Sequence, residues 1–65
     1  MPVVTVEMLE GRTIAQKKQL VEGITNEFVK IGTEAEKVTV IFRDVSKNNW
    51  ASGGKLKSES PARPL

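Results

Sequence analysis

The chain opens Met1-Pro2-Val3-Val4-Thr5-Val6. A methionine ahead of a small residue is normally trimmed in cells, and its removal leaves a secondary amine at the head of a hydrophobic segment. Such an amine can act as a general base or an imine-forming nucleophile, roles closed to an internal proline, whose nitrogen is an amide. With no His and no Cys among 65 residues, it is the most distinctive reactive group on offer. Few other residues suit ligand chemistry. Arg12 follows Leu9-Glu10-Gly11 and carries a planar fork that can grip a carboxylate through two hydrogen bonds. Arg43 sits in a second apolar segment, and Trp50, the single Trp, precedes Gly53-Gly54. Without Cys there are no disulfides, and without His as well the Cys/His zinc sites fall away.

The scaffold that must hold these groups is small. A chain of this length buries only about 60% of its unfolded surface, so association between copies is the expected source of additional core. Hydrophobic residues make up 38% and charged residues 28%, the balance of a globular domain. The formal net charge is +2, and Lys55, Lys57 and Arg63 place part of that excess near the C-terminus. Elsewhere Lys and Glu intersperse without a basic block or interleaved aromatics, which reads as a solvated surface rather than a nucleic-acid interface. No apolar run approaches the roughly 20 residues that span a bilayer, and no secretory leader is recognised ahead of the first strand. A cytoplasmic protein with no membrane partner is the expectation.

Residues 3–9 are rich in β-branched types, with Val4, Val6 and Met8 on one face and Val3, Thr5, Glu7 and Leu9 on the other. A helix is expected from Thr13, because Thr13 and Gln16 form a capping box. Its apolar members, Ile14, Leu20/Val21, Ile24, Phe28 and Ile31, recur with a period near 3.6, joined by Lys17/Lys18, and Gly32 supplies the stop. Gly23 is expected to permit close packing on the sheet. A second strand spans 38–43, alternating Val38, Val40 and Phe42 with Thr39, Ile41 and Arg43. The crossover length makes the strands parallel and the unit a right-handed βαβ of the α+β class. Residues 44–56 are turn-rich and suit a short hairpin, and 57–65 read as an extended or disordered tail. One helix covers one face of two strands, so the other apolar face requires a second copy, and a homo-oligomer follows.

Taken together, Pro2, Leu9-Glu10-Gly11-Arg12-Thr13, Gln16-Lys17, Leu20 and Asn49-Trp50-x-x-Gly53-Gly54 resemble the 4-oxalocrotonate tautomerase family over residues 2–56. That resemblance implies a βαβ protomer, paired protomers sharing a four-stranded sheet, and three such dimers in a hexamer. It further implies a cofactor-free and metal-free isomerase that moves a proton between enol and keto forms of a 2-hydroxydienoate or related small enol carboxylate. On this resemblance Pro2 is the general base, Arg12 binds a substrate carboxylate, Trp50 forms an apolar wall and Leu9 lines the site. The chemistry is coherent. Burial beside cations and an apolar wall disfavours the protonated amine, and exclusion of water strengthens the grip on the carboxylate.

One family position departs from the pattern. The second-strand arginine of the best-known members aligns with Thr39, and Arg43 lies on the same strand face but roughly 13 Å further along. Thr39 and Arg43 are therefore the candidate substrate-facing positions whose chemistry differs, and weaker handling of the family's dicarboxylate is expected. Each residue also has a plainer reading: Arg12 as a surface turn residue, Trp50 as core or interface, Gly53-Gly54 as a turn. Two other functions stand beside tautomerisation. A hydratase or dehalogenase of the same superfamily is one, although Met8-Leu9 and Ser52 occupy positions where its extra arginine and acid belong. A non-catalytic oligomeric binding or scaffold module is the other, favoured if Met1 stays in place.

Overall fold

The computed structural model describes residues 1–59. Strand β1 (Val3–Leu9) leads into helix α1 (Ile14–Lys30), a single 3₁₀ turn at Ala35–Lys37, and strand β2 (Thr39–Val45). A second 3₁₀ turn at Lys47–Asn49 precedes the hairpin of β3 (Ala51–Ser52) and β4 (Lys55–Leu56). The two long strands run parallel, with Val3 opposite Thr39 and Leu9 opposite Val45, and β3 pairs antiparallel with β4. The βαβ unit is as the apolar pattern and crossover length anticipated, and the C-terminal hairpin as the turn-rich segment did.

Helix α1 starts where its sequence offers a cap. The Thr13 hydroxyl accepts from the Gln16 backbone N–H at 3.1 Å, and the Gln16 side chain accepts from the Thr13 N–H at 2.9 Å. Two otherwise orphaned donors are thus satisfied. Thr13→Ala is expected to cost about 1 kcal/mol of stability, read as a lower midpoint in denaturant unfolding. An unchanged midpoint would show that the cap contributes nothing. At the other end Gly32, with φ of 99°, closes a Schellman motif: its N–H donates to Val29 and the Thr33 N–H donates to Phe28.

Four details differ from the sequence reading. Strand β2 ends at Val45, two residues past the expected limit: Asp44 and Val45 stay in the ladder opposite Met8 and Leu9, and Lys17 of the helix pairs with Asp44. The Lys17 ammonium also lies 5.9 Å from the centre of the Phe42 ring. Gly23 does not pack on the sheet; a Cβ built there meets nothing within 4 Å. Ile14 and Ile31 stay 78% and 76% exposed at the helix ends, which two strands are too small to cover. The helix instead turns Lys17, Val21, Ile24, Thr25 and Phe28 inward. Lys57–Glu59, expected as part of an extended tail, form a third 3₁₀ turn, and residues 60–65 of that tail lie outside the described residues.

The decisive property is what the protomer leaves open. No side chain is buried among the described residues. The face of the sheet away from the helix presents Val3, Thr5, Ile41 and Val45, with Val3 59% and Ile41 43% exposed. The chain exposes 5337 Å², against about 4100 Å² for a compact monomer of its mass. Its radius of gyration is 15.1 Å, against about 11 Å for a compact domain of this length. An isolated copy therefore lacks a hydrophobic core. No helix among the described residues is long and apolar enough to cross a membrane.

Candidate active site

Arg12 reaches its position because β1 must end before the helix begins. Leu9 closes the strand, the Glu10 N–H donates to Val45 at 3.0 Å, and the chain turns through Gly11 to the cap at Thr13. Arg12 thus projects from the junction of β1 and α1. Trp50 comes to the same end of the sheet from the other direction, just after the 3₁₀ turn that follows β2. A recess of about 640 Å³ opens there, lined by Leu9, Arg12 and Trp50 together with Glu7, Glu10 and Lys57. That volume suits a small organic ligand. A cation able to bind a carboxylate and an indole wall consequently share one concavity.

Lys57 was not expected there. It looked like part of the tail, yet the hairpin returns it to Trp50: Ala51 pairs with Leu56 and Ser52 with Lys55, so position 57 falls opposite position 50. The Lys57 N–H donates to the Trp50 carbonyl at 2.7 Å, and both residues are half-buried. The signal was in the sequence. Gly53 and Gly54, with φ of 59° and 79°, form the two-residue turn that only such residues adopt readily, and the register follows from it.

Pro2 and Thr39 are elsewhere. The Thr39 N–H donates to the Pro2 carbonyl at 3.0 Å, which fixes Pro2 at the start of the parallel ladder. The Pro2 nitrogen is acylated by Met1 in this chain, and Met1 is 93% exposed. Seven strand residues, roughly 20 Å, separate Pro2 from the β1–α1 turn that bears Arg12. Within one protomer Pro2 and Arg12 cannot touch the same small molecule. Arg43 is exposed on the open sheet face, opposite Glu7 in the ladder. It does not line the recess, although its ladder partner does. The structure therefore unites Leu9, Arg12 and Trp50 and leaves Pro2, Thr39 and Arg43 apart from them.

Comparison with known proteins bears on what this arrangement serves. A family model described as tautomerase enzyme matches residues 2–60. A 2-hydroxymuconate tautomerase of Bacillus subtilis is 48% identical over 61 residues, covering 91% of this chain and 97% of the relative. Among solved structures, a 4-oxalocrotonate tautomerase homologue superposes with a TM-score of 0.89 at 36% identity, over 95% of this chain and all of the other. A heterohexameric 4-oxalocrotonate tautomerase from Chloroflexus aurantiacus superposes with a TM-score of 0.81 at 27% identity, over 91% of this chain and 97% of its own. The βαβ frame, the Arg12–Trp50 recess and a family match running almost from end to end agree: this chain belongs to the tautomerase family.

Proposed function

We propose that the chain, freed of Met1, is a cofactor-free tautomerase acting on a 2-hydroxydienoate or a related small enol carboxylate. The observation that carries this reading is the placement of Arg12 and Trp50 in one recess of ligand size at the β1–α1 junction. Arg12 binds a substrate carboxylate with two hydrogen bonds and draws electron density along the conjugated chain. Trp50 and Leu9 keep water away and strengthen that grip. The Pro2 nitrogen accepts the enol hydroxyl proton, the electron pair shifts along the diene, and the proton is returned to carbon in a 1,3- or 1,5-type shift.

Because roughly 20 Å separates Pro2 from Arg12 in one protomer, the complete site takes Pro2 from one copy and Arg12 from another. Assembly is thus part of the mechanism. A homohexamer built as a trimer of dimers is the proposed form. The absence of a core in the protomer and its open apolar sheet face support it, as does the heterohexameric assembly of a structural neighbour.

The test is ultraviolet-monitored ketonisation of 2-hydroxymuconate by Met1-free protein. Wild type is expected to turn it over, and Arg12→Gln to raise KM about 10- to 100-fold by removing a charged carboxylate partner. Turnover unaffected by Arg12→Gln would remove Arg12 from the site.

A further inference from the structure

We infer that Lys57 is the second cation of the Arg12–Trp50 recess, and that it selects ligands bearing two carboxylates over those bearing one. This assignment rests on the reading of the recess as a carboxylate-binding site. Lys57 and Arg12 both line it, flanking the half-buried indole of Trp50. The backbone bond from the Lys57 N–H to the Trp50 carbonyl holds position 57 at the wall regardless of the side chain it bears.

Two acids share the recess without an ion pair to either cation among the described residues. Glu7 and Glu10 also line the recess, but Glu7 faces Arg43 across the ladder as an opposite-charge neighbour. Arg43 itself lies outside the recess, so its lining holds two cations, Arg12 and Lys57, and two acids, Glu7 and Glu10. Among the described residues, the three ion pairs of the protomer use Lys17, Lys30 and Lys37, and neither Arg12 nor Lys57 is engaged in one. The two cations also differ in what they hold best. The guanidinium matches one carboxylate edge to edge, whereas an ammonium on a flexible stem is a point charge that follows a second anionic group at variable distance. Beside the indole that attraction is less screened than in open water. Thr39, at the far end of the sheet, offers no charge for the purpose.

The experiment is calorimetric titration of the Met1-free assembly with muconate, which has two carboxylates, and with sorbate, which has one. Lys57→Gln is expected to weaken muconate about tenfold while leaving sorbate within about twofold, and Lys57→Arg to recover most of the loss. Equal muconate affinity in wild type and Lys57→Gln overturns the assignment. So does a parallel loss on both ligands, or failure of wild type to hold muconate. The same proteins are assayed with 2-hydroxymuconate and phenylenolpyruvate. Lys57-dependent muconate binding without turnover of either enol would defeat the tautomerase reading and leave the Lys57 assignment standing. Turnover with unchanged discrimination in Lys57→Gln would do the reverse.

Discussion

Met1-free Pro2→Ala protein is expected to lose about 10²-fold or more in kcat/KM for ketonisation, with the loss falling on kcat. Alanine still presents an amine, but a primary one on a freely rotating terminus, so basicity and aim both suffer. The substitution leaves the strand intact, because the Thr39 N–H bonds to the backbone carbonyl of residue 2, which alanine supplies equally. A matched protein that retains Met1, verified by mass, is expected to fall to the uncatalysed rate, since its residue-2 nitrogen is an amide. Together the two variants separate a missing base from a damaged fold. Undiminished kcat in both would mean that residue 2 takes no part in proton transfer, and the scaffold or another base would have to be considered.

A larger structural effect is expected from Ile41→Glu. Ile41 stands at the centre of the open sheet face, next to Thr5 in the ladder and between Thr39 and Arg43 along the strand. If a second copy covers this face, a glutamate there buries a charge without a partner, at a cost of several kcal/mol per interface. The expected result is a rise in the oligomer dissociation constant of at least about a hundredfold, seen as smaller species in sedimentation velocity. Secondary structure should weaken in step, because the separated protomer has no buried side chain among its described residues to hold helix against sheet. Activity should vanish too, as the proposed site joins Pro2 and Arg12 from different copies. An unchanged sedimentation profile would show that this face is not where copies meet.

The two results bear on each other. On the proposed assembly, stability and catalysis would have a common origin, since the contact that supplies the missing core would also bring the amine to the cation. A variant that loosens assembly should therefore lose activity before it unfolds completely, with activity falling on dilution more steeply than protein concentration. Thr13→Ala offers the contrast: it weakens the helix within each copy and touches neither the recess nor the open face.

Much of the architecture was legible from local pattern. Strand β1 was bounded at residues 3–9 by β-branched residues and Gly11, and it begins and ends there. The helix was readable from Thr13, Gln16 and Gly32, because capping is a matter of hydrogen bonds within three or four residues. Parallel strands followed from the length of the crossover. Of the residues lining the recess, Leu9, Arg12 and Trp50 were legible through the family resemblance.

What the sequence alone did not yield depends on contacts between distant elements. Asp44 is a poor strand residue by type, yet β2 continues through it because its ladder with β1 runs on, Asp44 opposite Met8 and Val45 opposite Leu9, with Lys17 of the helix pairing to Asp44. Lys57 belongs to the recess because a two-residue glycine turn folds the chain back on Trp50; charge and position along the chain placed it in a tail. Gly23 meets open space, a fact no helical periodicity contains. The separation of Pro2 from Arg12 is likewise a property of a rigid strand in three dimensions. Residue types determine which chemistry is available and local spacing determines the elements, but only the folded protomer decides which groups meet, because meeting requires long-range geometry that no short window of sequence encodes.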